Sequence, residues 1–311
     1  MNKINRRKFI QTGLAGLAGI SLLSCSRVVN RSVNISDAIR VDKVRLGNSG
    51  LIVSRIAMGS GTKTNNTGSS QTRLGMEEFA NLAHYAYERG ISFFDMADTY
   101  KSHRFVGNAI KTLPREKLTI LTKMWTHDDG SDRIEPFEKT FDRFRSETGC
   151  EYFDIMLMHC LMRGDWHETR KFYMDAFSKA KQEGKIKAIG VSCHNIDALA
   201  QAAVNPWVDV IMARINPFGT AMDGTPDEVK AILATAKANG KGIIGMKIFG
   251  EGRHITDEER QQSIKYALTE GNTHCMTLGL ESKIQMDDAI ERVMGSKVKI
   301  ITPNQNKYRT Y

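Results

Sequence analysis

Residues 77–95 read Glu77-Glu78-Phe79-Ala80-Asn81-Leu82-Ala83-His84-Tyr85-Ala86-Tyr87-Glu88-Arg89-Gly90-Ile91-Ser92-Phe93-Phe94-Asp95. Phe79, Leu82, Ala83, Ala86 and Tyr87 recur at the three-and-four spacing that puts them on one helix face. Gly90 stands where a helix C-cap needs a left-handed residue. A short apolar run follows and stops at an acid. The same alternation repeats outward in both directions. Short apolar runs lie near 56–59, 91–95, 118–122, 152–159, 186–191, 208–213, 242–247 and 275–280, the pattern of buried parallel strands. Helix starts stand between them: Thr225-Pro226-Asp227-Glu228 pairs an N-cap with proline at N1 and a capping-box acid, and Thr256-Asp257-Glu258-Glu259 repeats the box. Asn239-Gly240 ends the helix that the first of these opens. Eight strands alternating with helices predict an α/β fold, a (β/α)8 TIM barrel. Ahead of it, Val44-Arg45-Leu46-Gly47-Asn48-Ser49-Gly50-Leu51-Ile52-Val53 alternates about a glycine turn and predicts an N-terminal β-hairpin. An open doubly wound sheet is the other α/β candidate, but no strand is followed by G-x-G-x-x-G.

The chain has 311 residues, 41% hydrophobic and 25% charged, enough for one large core. Of a formal net charge of +9, Lys3, Arg6, Arg7 and Lys8 sit in the first eight residues. The remainder is a mild balance without a basic block, which argues against nucleic-acid binding. Cys25, Cys150, Cys160, Cys193 and Cys275 include no C-x-x-C and accompany no paired histidines, so no metal site is expected.

Asn5-Arg6-Arg7-Lys8-Phe9 resembles a twin-arginine export motif, and an apolar run to Leu23 follows. A basic start and a short apolar region describe a signal peptide, too short to span a bilayer. Leu22-Leu23-Ser24-Cys25 looks like a lipobox, in which Cys25 is lipidated; a plain signal cleaved nearby is the other reading. The expected organisation is therefore a signal peptide over 1–24, a tether over 25–40 and the barrel over 41–311. The twin-arginine translocase is then a partner during export, the membrane is met only through the lipid anchor, and the protein resides in the periplasm or cell envelope.

Chemistry in such a barrel sits at the C-terminal strand ends. The second strand ends Phe93-Phe94-Asp95-Met96-Ala97-Asp98-Thr99-Tyr100, the third Ile120-Leu121-Thr122-Lys123-Met124-Trp125, the fourth Ile155-Met156-Leu157-Met158-His159-Cys160. Singly, each polar residue has an ordinary reading: Asp95 a helix cap, Lys123 a solvated strand end, His159 a bonded core histidine, Tyr100 loop packing. Together, Asp95 with Tyr100 five residues on, Lys123 two residues before Trp125, and His159 on the next strand resemble the aldo-keto reductase family. Leu46-Gly47 through Ile56 and Ile189-Gly190-Val191-Ser192 add to the likeness, which covers about residues 41 to 295.

The resemblance implies an NAD(P)-dependent oxidoreductase that reduces an aldehyde or ketone, a small-molecule carbonyl substrate, by hydride transfer. Tyr100 is then the proton donor. Lys123, held charged by Asp95, is expected to lower its pKa. His159 orients the substrate oxygen, and Trp125 walls the pocket. On the cofactor side the pattern is looser. Ser192 fits the contact to the nicotinamide amide, while Cys193 and Met212 stand where Asn and Gln are usual, and Met246 stands where an aromatic stacks on the ring. Core filler is an equal reading of Met212 and Met246. Lys247, Phe249 and Gly250 are expected about the pyrophosphate. Gly279 and Gln285 stand where a Lys and an Arg favour NADP, so discrimination between NADP and NAD is expected to be small. The short tail after residue 295 suggests an open mouth suited to a bulky or sugar-like substrate. A cofactor-binding redox sensor or partner subunit with little turnover is the alternative. A non-redox sugar hydrolase or isomerase would need a spaced carboxylate pair, which Asp95 and Asp98 do not make.

Overall fold

The computed structural model describes residues 39–126 and 136–301. The signal peptide and Cys25 lie outside the described residues. Two short strands, β1 (Lys43–Arg45) and β2 (Ile52–Ser54), pair antiparallel, with Val44 opposite Val53. Eight further strands follow: β3 (Ile56–Gly59), β4 (Phe93–Asp95), β5 (Thr119–Trp125), β6 (Phe153–Leu161), β7 (Ile186–Cys193), β8 (Val210–Arg214), β9 (Gly242–Met246) and β10 (Cys275–Leu278). Each pairs parallel with the next, and β10 pairs with both β9 and β3, closing the barrel.

Helices cover the outside: α1 (Met76–Glu88), α2 (His103–Ile110), α3 (Phe137–Thr148), α4 (Trp166–Thr169), α5 (Lys171–Gln182), α6 (Ile196–Val204), α7 (Pro226–Ala238), α8 (Asp257–Thr269) and α9 (Lys283–Ile301). Both capping boxes read from the sequence are present, Thr225 with Glu228 and Thr256 with Glu259. They satisfy N–H groups that the first turn of a helix leaves open.

The core has two parts because side chains alternate across each strand. Ile56, Phe94, Ile120, Met156, Val191, Ile211 and Ile243 face the helices. Phe93, Leu121, Ile155, Leu157, Ala188, Val210, Met212 and Ile244 fill the barrel's interior. The hairpin stops one end. Leu46 and Val53 are fully buried in the inner cluster, and a side chain on Gly242 would collide with Leu46. Gly47, at φ +52°, presses against the backbone of 240–242, where a Cβ would come within 2.5 Å of Gly242 N. With the N-terminal end plugged, the other end carries the polar residues.

Candidate active site

The inward row that carries apolar side chains at mid-barrel carries polar ones at the C-terminal end. On β4, Phe93 is succeeded by Asp95, and on β5 Leu121 by Lys123 and then Trp125. On β6, Leu157 is succeeded by His159, on β7 Ala188 by Ser192, and on β8 Met212 by Arg214. Lys123 is fully buried and donates from Nζ to Asp95 Oδ1. Thr277 on β10 donates to the other carboxylate oxygen at 2.9 Å. The carboxylate is thus held from both sides, and a buried ammonium has its counter-charge.

Tyr100 leaves the barrel wall on a single 3-10 turn, Asp98–Tyr100, just after β4. Gly61 lies flat against its ring, where a Cβ would be 2.2 Å from the ring edge. Lys123 Nζ is 5.0 Å from the Tyr100 centroid. His159 meets the same ring edge-on at 5.5 Å, and Trp125 meets His159 edge-on at 5.6 Å. Asp95, Tyr100, Lys123, His159 and Trp125 are therefore brought together. Asp98 pairs with Arg143 on α3 at 2.9 Å and takes no part in the cluster.

One expectation is overturned. Tyr100 is not lowered by Lys123; its pKa is raised well above the ordinary tyrosine value, first by burial and then by the Asp95 carboxylate and Cys160. Desolvation of the phenolate decides the sign, and the Asp95 carboxylate adds to it. Burial likewise pulls Lys123 down, while Asp95 opposes the fall. The phenol is thus kept protonated, the form a proton donor requires.

The register of β6 against β7 shifts between Met158 and Leu161, and Cys160 sits in the shift at φ +63°. Such a bulge re-aims the neighbouring side chains. Cys160 Sγ lies 3.2 Å from His194 Nδ1, just past the end of β7.

The residues expected on the cofactor side separate. Ser192 is fully buried, and its Oγ has no hydrogen-bond partner among the described residues. An orphaned hydroxyl at a strand end suits a ligand amide. Met212 and Met246 both belong to the inner cluster. Cys193 instead belongs to the layer between strands and helices. Lys247 has φ +56° and pairs with Glu251 at 2.8 Å, and Gly250, Glu251 and Gly252 are left-handed in succession. Backbone of this kind can gather N–H groups about an anion. Phe249 packs on the outer cluster beside them.

At the eighth unit, a Cβ on Gly279 would fall 1.7 Å from Thr62 Oγ1, and Gln285 accepts from the Glu281 amide at 2.8 Å. Lys283 stands over the Tyr85 ring at 5.2 Å. Ser192, Met246, Lys247 and Gly250 fit a nicotinamide and a diphosphate, whereas Cys193, in the outer layer, does not, and neither Gly279 nor Gln285 brings a charge.

Thr277 and Gly61 are site residues that sequence reasoning missed. Thr277 could have been found as the inward polar residue of the last strand, two positions before Gly279.

Residues 57–300 match the model of the aldo/keto reductase family. Over 145 residues the chain is 37% identical to the 9,11-endoperoxide prostaglandin H2 reductase of Trypanosoma cruzi, covering 43% of this chain and 47% of that one. It is 32% identical to the glyoxal reductase of Bacillus subtilis over 133 residues, covering 40% and 45%. It is 28% identical to the L-galactose dehydrogenase of Arabidopsis thaliana over 214 residues, covering 66% and 64%. The chain spans about half the length of the first two of these relatives. Among solved structures, a putative aldo-keto reductase from Pseudomonas aeruginosa superposes with a TM-score of 0.68 at 20% identity, covering 85% of this chain and 98% of that one. A Bombyx mori aldo-keto reductase in complex with NADP gives 0.60 at 18%, covering 84% and 93%. At such identities the superpositions speak to the fold.

Proposed function

This chain belongs to the aldo/keto reductase family, and we propose that it is an NAD(P)-dependent oxidoreductase that reduces an aldehyde or ketone with Tyr100 as proton donor. The observation that carries the reading is the buried Lys123–Asp95 pair, locked by Thr277, beside a phenol kept protonated. A nicotinamide nucleotide, when bound, supplies hydride to the carbonyl carbon. Ser192 and Met246 would hold its ring, and Lys247 with the 250–252 backbone its diphosphate. Tyr100 gives its proton to the carbonyl oxygen as negative charge develops there. Lys123 then steadies the phenolate that remains, at a site where water is scarce and charge interactions are strong. His159 orients the oxygen, and Trp125 presents an apolar wall. The relative named a glyoxal reductase supports small carbonyl compounds as substrates.

Tyr100→Phe keeps the shape and removes the proton. Turnover should fall by about 10²–10⁴, with nucleotide affinity unchanged in fluorescence titration. Near-normal turnover in that variant would refute the assignment. A second reading, a nucleotide-binding sensor or partner subunit, draws on Cys193 lying in the outer layer, which leaves Ser192 alone at the amide. Wild type that binds nucleotide but turns over no carbonyl would favour it.

We further propose that residues 1–24 direct export by the twin-arginine route and that Cys25 is lipidated, placing the barrel in the periplasm or cell envelope. Arg6→Lys with Arg7→Lys should trap the protein in the cytoplasm, because a general secretory signal needs only the charge. Cys25→Ala should free it from the membrane fraction. Unaltered export, or a wild type already soluble, would sink the respective half of this proposal.

A further inference from the structure

The turn assigned to the diphosphate already contains a carboxylate. Lys247, the first residue past β9, and Glu251, four residues on, are both left-handed, at φ +56° and +61°. Glu251 stands between Gly250 and Gly252, which are left-handed too. Glycine adopts this conformation freely, and a glutamate does so at a cost. The side chain shows what holds Glu251 in a strained place: its Oε1 accepts from Lys247 Nζ at 2.8 Å. Lys247 first, then Arg253 and Arg214, pull its carboxyl below the usual range. Both partners are open to solvent, the Lys247 side chain 30% exposed and that of Glu251 42%.

The backbone beneath this pair is fixed. Asn216 is fully buried and donates from Nδ2 to the Lys247 carbonyl at 3.2 Å. Its Oδ1 accepts from the amides of Phe218 and Thr220. Thr220 Oγ1 lies 2.8 Å from His254 Nε2, and both side chains close on Gly250, where a Cβ would be 2.6 Å from the His254 ring. A Cβ on Gly252, by contrast, would meet nothing within 4 Å. The Lys247 and Glu251 side chains can therefore part by turning about their own bonds while the turn stays in place. Lys247 also pulls the Lys123 pKa down, so its charge is felt at the reacting centre.

We propose that Glu251 is a resident counter-anion that the nucleotide must displace, so that its carboxylate, together with the Lys247 ammonium, sets nucleotide affinity. This rests on the reading that Lys247 and the 250–252 backbone hold the diphosphate. A diphosphate brings more charge than a carboxylate, and acceptor oxygens for left-handed N–H groups as well as for the ammonium. Glu251 competes for the ammonium alone. An exposed ion pair of this kind is weak, so a stronger anion can break it. Arg253, whose charge already acts on Glu251, gives the displaced carboxylate another partner. If Glu251 served only to hold the turn, its loss would loosen nucleotide binding; displacement requires the opposite sign.

The test titrates NADH, and ADP-ribose as a diphosphate without the nicotinamide, into the purified full chain by calorimetry. Glu251→Gln keeps the size of the side chain and removes its charge. It should tighten both ligands by about two- to fivefold. Lys247→Gln should weaken both. In that background Glu251→Gln should gain less, because no ion pair is left to break. Unchanged or weaker binding in Glu251→Gln overturns the proposal. An equal gain with and without Lys247 also overturns it, since the carboxylate would then repel the nucleotide without being displaced. Full affinity in Lys247→Gln overturns the diphosphate reading itself, and this inference falls with it.

Discussion

Thr277 shows how much of the candidate site is invisible along a chain. It lies 182 residues from Asp95 in sequence and 2.9 Å from it in space. Its hydroxyl is the donor that holds the carboxylate oxygen Lys123 does not reach. Thr277→Val keeps the shape and leaves that oxygen buried and unpaired. The expected loss is about 1–3 kcal/mol of stability in urea unfolding; a change below about 0.5 kcal/mol would mean the bond contributes little. Asp95, Lys123 and His159 could be read in the sequence because each is a polar residue that ends an apolar run. Gly61 and Thr277 could not, since only barrel closure and loop return place them. The sign of the Tyr100 shift was also beyond the sequence. It depends on burial of the phenol and on the Asp95 carboxylate beside it, neither of which residue spacing reports.

At the level of elements, strand positions were legible and strand ends were not. The runs read at 118–122 and 152–159 extend to Trp125 and Leu161 in the barrel. The second extension passes through the bulge at Cys160, a backbone irregularity with no residue signature. One element contact has a pH consequence. His103 opens α2 and is buried against β5 and α3, sharing a 2.7 Å hydrogen bond with Thr122 and stacking on Phe144 at 4.2 Å. Burial first, then Arg143 and Lys123, pull its pKa down to about 3. Glu147 lies 3.8 Å from Nδ1, but Arg143 and Arg104 share its charge. The unfolded chain takes up this proton below the ordinary value of 6.5, whereas the folded one refuses it until about 3. Stability is therefore full above the first value and falls through the window below it, by up to about 1.4 kcal/mol per pH unit. His103→Gln should flatten the decline of the unfolding midpoint with acidity. Parallel slopes for variant and wild type would show that α2 carries no such dependence.

For the whole molecule, the decisive feature is asymmetry between the two ends of the barrel. Alternation along eight strands forces one side-chain row inward, and that row is apolar wherever the hairpin and its neighbours can fill the space. The polar set Asp95, Lys123, His159 and Ser192 stands at the other end, where its members can reach each other and a ligand. This is why a fold readable from hydrophobic periodicity also announces where its chemistry lies. The hairpin has a second effect. With Leu46 wedged beneath Gly242 and the inner cluster above it, that end of the barrel is closed. A ligand held at the depth of Ser192 would then have to leave by the same mouth through which it entered.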